Sequence, residues 1–199
     1  MVIYNAAVKS NRDKILTKCT PFILTAILIA LDQLIKFLVI MTIPPYHVGV
    51  SLFNDFFRII HMYNPGIAFS LGSNLPLMVR SIMFAVIPLI IIILVTVTYF
   101  LNDSFSPPQQ WAIAGVIGGG LSNLIDRFFR QEGVIDFIDV KFFGIFGFDR
   151  WPTFNIADMS VLICAGIFMI TLILPAPRTA LMKKNLEFSR EPLDTIQKI

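Results

Sequence analysis

The sequence is poor in cysteine, histidine and charged residues. It has two cysteines, two histidines and 15% charged residues, against roughly a quarter charged in an average soluble domain. Cys19 and Cys164 fall in separate apolar stretches and do not form a disulfide framework. His47 and His61 lie in one segment that lacks the ligand spacing of a zinc enzyme. These shortages argue against a disulfide-rich secreted domain and against zinc catalysis.

Apolar residues are abundant, and they occur in long runs. They make up 56% of the chain, which indicates an integral membrane protein rather than a soluble one. The net charge of +3 is too small to suggest binding to nucleic acid. Basic residues gather near both termini, where an anionic inner leaflet would attract them.

Four apolar runs are long enough to cross a bilayer, at about residues 21–42, 75–101, 111–129 and 154–175. Pro88 predicts a kink in the second run. Gly118, Gly119 and Gly120 predict close helix contacts in the third run. The predicted fold is a single integral membrane domain, mainly α-helical, with four spans.

Basic residues near the spans predict the orientation. The first span is preceded, and the last is followed, by several of them: Lys9, Arg12, Lys14, Lys18, Arg178, Lys183, Lys184, Arg190 and Lys198. Both tails, 1–20 and 176–199, are therefore predicted to be cytoplasmic. Segments 43–74 and 131–153 are then extracytoplasmic. In segment 43–74, β-branched and aromatic residues, with Gly and Pro between them, predict short strands.

The second outer segment is rich in apolar side chains suited to the headgroup region of a bilayer. They are Phe142, Phe143, Ile145, Phe146, Phe148 and Trp151. We expect them to form an apolar surface at the outer boundary of the membrane.

Polar residues that are distant in sequence are predicted to meet at this same boundary. They lie at the outer ends of spans three and four or in the outer segments: Asn64, Asp126, Arg127, Asp136, Asn155 and Asp158. Ionisable groups at membrane depth are costly and usually face the interior of a bundle, so they are candidates for function.

Most of these residues also have an ordinary structural explanation. Taken alone, Asp136 could be a charge at the end of a strand. Asn64 in "NPG" is typical of a turn. Asp158 suits the first turn of a helix, and Asp126 can pair locally with the adjacent Arg127.

Three further acids also have structural interpretations. Asp32 and Lys36, in "LDQLIK", are spaced i,i+4 and can pair on one helix face. Asp139 and Asp149 lie near basic residues on an outer loop and are predicted to be solvated charges.

Two nearby carboxylates favour a specific chemistry. Both cannot ionise cheaply, so one holds a proton while the other acts as a base. Such a pair can activate water and protonate a leaving amine, which is metal-free peptide hydrolysis. Ser122 lacks both a nucleophile turn and a histidine in its span, so a serine mechanism is not supported. Spacing alone does not choose between Asp126 and Asp136 as a member of the pair.

Two functions other than hydrolysis fit the same residues. Intramembrane Asp, Asn and Arg also mark ion paths, which is typical of a small transporter or proton-conducting protein. The inner halves of spans two to four carry no charge, which disfavours a continuous path. A membrane assembly factor could instead use the Gly-rich third span as a docking face.

Five motifs occur together and in order. They are "DQLIK" at 32–36, "NPGIAFS" at 64–70, "GGGLSNLIDR" at 118–127, "VIDF" at 134–137 and "FNIAD" at 154–158. Over residues 25 to 175 the chain resembles lipoprotein signal peptidase (signal peptidase II), the bacterial aspartic protease of the inner membrane. Ser122 and Met159 depart from residues common in the family.

The resemblance implies a function and a set of site residues. Asp136 and Asp158 would be the catalytic pair. The residues implied to line the site and bind substrate are Asn64, Gly66, Asn123, Arg127 and Asn155, and those implied to support the structure are Asp32, Lys36 and Asp126. The implied fold is a four-helix bundle with a small extracytoplasmic β-cradle.

The implied substrate is a prolipoprotein whose cysteine carries a diacylglyceryl group, cleaved just before that cysteine. The resemblance further implies no metal or other cofactor, and a monomer surrounded by membrane lipid. Its location would be the bacterial inner membrane, with several spans, both termini cytoplasmic and the active site near the outer face.

Overall fold

The computed structural model describes residues 15–66, 75–145 and 147–174. The elements follow in the order α1 (Phe22–Thr42), β1 (Val48–Leu52), β2 (Phe57–Asn64), α2 (Leu77–Ser81), a π-helical segment (Ile82–Val86), α3 (Ile87–Leu101), α4 (Pro107–Phe129), β3 (Val134–Ile145), β4 (Phe148–Arg150) and α5 (Ile156–Ile173). This confirms a mainly helical membrane protein with a small β element. Of the predicted tails, 1–14 and 175–199 lie outside the described residues.

Three helical stretches in the described ranges are long and apolar enough to cross a bilayer. They are Ile15–Thr42, Met78–Leu101 and Ile156–Ile173, and they match three of the predicted spans to within several residues. The other predicted span corresponds to α4, which has 23 residues. Helix α4 is not among the three because its glycines and polar residues lower its mean hydropathy.

Helix α4 contacts α1, α3 and α5, and its glycines allow the backbones to approach closely. A Cβ atom at Gly118 would lie 3.0 Å from the Cα atom of Thr25 in α1. A Cβ atom at Gly119 would overlap the carbonyl oxygen of Ala157 in α5. The hydroxyl of Thr25 donates a hydrogen bond of 2.6 Å to the carbonyl of Ala114. The glycine-rich run therefore performs the close packing predicted for it.

The irregularity predicted at Pro88 appears just before that residue. Proline has no backbone N–H to donate and crowds the preceding turn of a helix. The five residues Ile82–Val86 are π-helical, and the N–H of Ile87 donates to the carbonyl of Ile82, five residues earlier. The second membrane-capable stretch is therefore one helix with a wide turn near its start.

The short strands predicted in segment 43–74 are present as β1 and β2, and segment 131–153 adds β3 and β4, which its residues had not predicted. Together they form a four-stranded antiparallel sheet in the order β1-β2-β3-β4. In the central β2–β3 pair, Asn64 lies opposite Val134 and Met62 lies opposite Asp136. This register brings the end of the first outer segment beside the start of the second.

The sheet is joined to the start of α5 by backbone hydrogen bonds. The N–H of Ile138 donates to the carbonyl of Phe154 at 2.8 Å, and the N–H of Phe154 donates back at 3.0 Å. Beneath this junction, a buried cluster joins the sheet to the end of α1 and consists of Val39, Ile43, Ile135 and Phe137. The strand that carries Asp136 is thus fixed to both α1 and α5.

The prediction that Asp139 is a solvated charge was wrong. Its side chain is buried and accepts hydrogen bonds of 2.7 Å from the Nε atoms of Arg58 and Arg150. Strand pairing places Arg58 directly opposite Asp139, which sequence spacing does not reveal. Asp149 is exposed, as predicted.

The outer surface of the sheet is apolar, as predicted for segment 131–153. Phe143 is 68% exposed, and Ile145, Phe148 and Trp151 are also exposed. The ring of Phe142 packs edge-on against Trp151 at 4.9 Å between centroids. Phe146 lies outside the described residues.

Candidate active site

All the residues predicted to form or support the site are connected by hydrogen bonds or ion pairs, Gly66 through its backbone. They come from α1, the end of β2, the last turns of α4, β3 and the start of α5. The connected residues are Asp32, Lys36, Asn64, Gly66, Asn123, Asp126, Arg127, Asp136, Asn155 and Asp158. Sequence positions as far apart as Asp32 and Asp158 therefore belong to one cluster.

Helix α5 begins with a capping box that fixes the position of Asp158. The side-chain oxygen of Asn155 accepts a bond from the N–H of Asp158 at 2.9 Å. In return, the Oδ2 atom of Asp158 accepts a bond from the N–H of Asn155 at 3.2 Å. This is the reciprocal pattern typical of a helix start. The capping bond therefore engages Oδ2 of Asp158, and the other carboxyl oxygen, Oδ1, faces Asn123.

Lys36 fixes the orientation of the Asn123 amide. Its Nζ atom lies 2.9 Å from Oδ1 of Asn123. An ammonium group can only donate hydrogen bonds, so the atom facing it must be the amide oxygen. The amide nitrogen of Asn123 then points the other way and donates to Oδ1 of Asp158 at 2.8 Å.

Backbone N–H groups fix the two other asparagines by the same logic. The Oδ1 atom of Asn64 accepts from the N–H of Gly66 at 3.1 Å, so its Nδ2 atom donates to Oδ2 of Asp136 at 2.9 Å. The Oδ1 atom of Asn155 accepts from the N–H of Asp158, so its Nδ2 atom donates to Oδ1 of Asp136 at 2.8 Å. Both oxygens of Asp136 therefore accept a bond from an amide.

Lys36 is fully buried and is surrounded by acceptors. Its ammonium lies 2.6 Å from Oδ2 of Asp32 and 2.7 Å from Oδ2 of Asp126, both of which are also fully buried. The i,i+4 pair predicted for Asp32 and Lys36 is therefore present. With Asn123 as the third acceptor, all three N–H donors of the ammonium have partners, as a buried cation requires.

Asp136 is enclosed by protein, and its side chain is among the most deeply buried in the described part of the chain. Burial disfavours the charged form, and the nearby charge of Asp158 acts in the same direction. Together they raise the pKa of Asp136 to about 7, although the bonds from Asn64 and Asn155 oppose the shift. The carboxyl group of Asp136 can therefore hold or release a proton near neutral pH.

Arg127 lies near Asp136 and Asp158 and does not pair with its sequence neighbour Asp126. Its guanidinium donates to the carbonyl of Gly66 at 2.6 Å and lies 5.5 Å from the ring centre of Phe84. Asp126 pairs instead with Lys36 and Arg130. The local Asp126–Arg127 pair that the sequence allowed is therefore not formed.

Sequence reasoning missed two polar groups that support the cluster. The hydroxyl of Ser122 is fully buried and donates to Oδ2 of Asp32 at 2.6 Å. The amide of Gln33 donates to Oδ1 of Asp126 at 3.1 Å. From the sequence, Ser122 was considered only as a rejected nucleophile and as a departure from a motif. The sequence did contain a signal for this role, because Ser122 is a polar residue close to the glycine-rich run of a predicted membrane helix.

In residues 15–66, 75–145 and 147–174, no group of three or more His, Cys, Asp or Glu side chains is arranged to hold a metal ion. His61 is buried in the sheet, where its Nδ1 atom lies 2.7 Å from the carbonyl oxygen of Ile43. The site is thus built from carboxyl, amide, ammonium and guanidinium groups.

Comparison with known proteins gives one family. Residues 24–174 match the family described as signal peptidase (SPase) II. A lipoprotein signal peptidase of Treponema pallidum is 46% identical over 175 residues, which cover 88% of this chain and 89% of the relative. One from Treponema denticola is 44% identical over 166 residues, which cover 83% and 95%.

Two solved structures of a bacterial membrane enzyme, both obtained by the in meso method, have a similar fold. The first has a TM-score of 0.66 and 28% identity, and covers 77% of this chain and 87% of that chain. The second has a TM-score of 0.66 and 27% identity, and covers 79% and 94%.

Proposed function

Because the chain belongs to the signal peptidase II family of proteases, we propose that it removes the signal peptide from diacylglyceryl-modified prolipoproteins in the bacterial inner membrane. Cleavage takes place just before the lipidated cysteine, and Asp136 and Asp158 activate the attacking water. Membership of a protease family argues against the transporter and the assembly factor considered above.

The observation that carries this proposal is the pair of acids, Asp136 buried and Asp158 partly buried, which are held by amide and backbone N–H groups rather than by cations. Asp136 receives bonds from Asn64 and Asn155. Asp158 receives bonds from Asn123 and from the backbone of Asn155. Neutral donors orient a carboxyl group without cancelling its charge, so the two acids can share one proton.

In the mechanism we propose, Asp136 carries the proton at rest and Asp158 is the base. Asp158 takes a proton from water as the water oxygen bonds to the scissile carbonyl carbon, while Asp136 gives its proton to the carbonyl oxygen. The resulting diol collapses when Asp158 protonates the leaving nitrogen and one hydroxyl returns its proton to Asp136. The products are a carboxylic acid and a free amine, and both acids regain their starting states.

Arg127 and Gly66 are proposed to position the substrate backbone beside the acids. The guanidinium of Arg127 interacts electrostatically with both Asp136 and Asp158. Its bond to the carbonyl of Gly66 holds the end of the first outer segment against α4.

The apolar face of the sheet is proposed to hold the diacylglyceryl group. Phe143 and Trp151 are exposed there, and Phe56 stacks on Phe143 at 6.0 Å between centroids. Burial of each methylene of an acyl chain is worth about 0.8 kcal/mol. Lipid contact can therefore supply much of the affinity for a lipidated substrate.

We also propose that α4 is the fourth crossing of a monomeric four-helix bundle with both termini in the cytoplasm. Lys18 at the start of the first membrane-capable stretch bonds to the carbonyls of Phe100 and Asn102 at the end of the second. These chain ends therefore lie on one side of the bundle. The site residues gather at the opposite ends of the helices.

The decisive experiment uses the purified chain and a diacylglyceryl-prolipoprotein. We expect Asp136→Asn and Asp158→Asn each to lower kcat by at least about a thousandfold, because an amide cannot exchange the proton. Asp149→Asn, which changes an exposed acid, serves as the matched control and should keep full activity. Retained turnover in either dyad variant, with a folded protein, would refute the mechanism.

The lipid contact is tested with the same precursor lacking its diacylglyceryl group. We expect a much higher KM for the unlipidated precursor, because the acyl contacts are lost. Equal cleavage of both forms would show that the apolar face of the sheet does not bind the lipid.

A further inference from the structure

A basic cavity lies beside the two acids but is distinct from them. It encloses about 670 Å³ between the wide turn of the second membrane-capable stretch and the end of α4. The residues that matter for its chemistry are Arg80, Phe84, Arg127, Phe129, Arg130 and Gly133. Three guanidinium groups therefore border one cavity.

The three arginines differ in how their charge is compensated. Arg130 pairs with Asp126 at 2.9 Å, and Arg127 is held by the carbonyl of Gly66 and lies over the ring of Phe84. The guanidinium of Arg80 has neither a hydrogen bond nor an ion pair among residues 15–66, 75–145 and 147–174. Glu132 is exposed and is not part of the cavity wall. Among the described residues, Arg80 therefore gives the cavity a positive charge that no ion pair compensates.

The cavity lies at the ends of helices that are long and apolar enough to cross a bilayer, or that pack against such helices. Arg80 lies two residues after the start of the membrane-capable stretch Met78–Leu101. Phe128 and Phe129, at the last turn of α4, are 52% and 83% exposed. Exposed aromatic rings beside arginines are typical of the interface where lipid headgroups lie. An occupant that bears a negative group at this depth is therefore favoured.

We propose that this cavity binds the phosphodiester headgroup of an anionic membrane phospholipid, with Arg80 as its main ligand. The guanidinium fork matches the geometry of phosphate oxygens and can donate two parallel bonds to them. Phe84 and Phe129 supply apolar contacts for the glycerol and upper acyl chains. A lipid held there would contact Arg127, which connects the cavity to the proposed catalytic site.

The test measures lipid binding directly and does not depend on the proposed activity. The full chain is purified in detergent and titrated with dioleoyl-phosphatidylglycerol or dioleoyl-phosphatidylcholine, and bound lipid is counted by native mass spectrometry. We expect preferential retention of phosphatidylglycerol. Arg80→Gln should weaken it about tenfold, which corresponds to about 1.4 kcal/mol.

A control variant and a competition experiment distinguish binding in this cavity from general charge attraction and from binding of free phosphate. Lys141→Gln removes one positive charge from the sheet, outside the cavity, and should leave lipid retention unchanged. Inorganic phosphate at millimolar concentration should not displace the lipid, because it lacks the apolar contacts. Equal retention of both lipids, an Arg80→Gln variant that binds normally, or displacement by inorganic phosphate would each overturn the proposal.

Discussion

Two pairs of aspartates lie at the same end of this molecule, all buried except the partly buried Asp158, and their surroundings differ. Asp32 and Asp126 share the ammonium of Lys36 at 2.6 and 2.7 Å. Asp136 and Asp158 accept bonds from amide and backbone N–H groups. The first pair is bound to a cation, and the second pair is oriented by neutral donors.

Under the proposed function, the first pair stabilises the fold and the second pair carries out the chemistry. A cation compensates the charge of nearby carboxylates and fixes their places in a low-dielectric interior. Amides orient the carboxylates without neutralising them, so burial, and after it the charge of Asp158, raises the pKa of Asp136 to about 7. Asn123 connects the pairs, because it accepts from Lys36 and donates to Asp158.

The largest expected effect comes from removing a charge from the first pair. Asp126→Asn leaves Lys36 and Arg130 with too little negative charge, and we expect a loss of about 3–5 kcal/mol in the free energy of unfolding. Unfolding in mixed detergent, followed by tryptophan fluorescence, measures it.

The corresponding substitution in the second pair, Asp136→Asn, should have a different effect on the free energy of unfolding. At pH 8, above its folded-state pKa, Asp136 is charged at a cost, and Asp136→Asn removes that cost. The unfolding free energy of the wild type should fall as pH rises from about 4 to about 7, because the folded state holds the proton more tightly. The Asn variant should not show this fall. If Asp126→Asn and Asp136→Asn lost equal stability at pH 8, the distinction between the pairs would fail.

The next effect concerns the link between the pairs. Asn123→Ala removes the donor to Asp158 and should lower kcat by about a hundredfold, because a misplaced base reacts poorly. Gln110→Ala, an amide change near the start of the same helix, is the control and should keep kcat unchanged. A normal kcat in folded Asn123→Ala would mean that the cap of α5 alone positions Asp158.

The smallest effect is a pH dependence specific to the second pair. Above a pH of about 7 the proton leaves Asp136, so kcat/KM should fall about tenfold per pH unit. Initial rates between pH 5 and 9 measure this limb. A rate that is flat up to pH 9 would show that Asp136 does not supply the proton.

The sequence predicts the membrane class, three of the apolar helices and the β element, because composition and hydrophobic runs determine these features directly. It also identifies the set of polar residues that converge. Spacing could not choose Asp136 over Asp126, since the difference lies in the neighbours that the fold supplies. The burial of Asp139 escaped prediction for a similar reason, because its partner Arg58 comes from a different strand.

The backbone bonds between Ile138 and Phe154 have a mechanical consequence for the proposed catalysis. They join the strand carrying Asp136 to the residue that precedes the capped start of α5, and so to Asp158. The two acids are therefore joined through backbone bonds, and we expect motion of the outer sheet to displace both together. For the proposed lipidated substrate we expect entry by displacement of other parts of the molecule, with the geometry of the acids preserved.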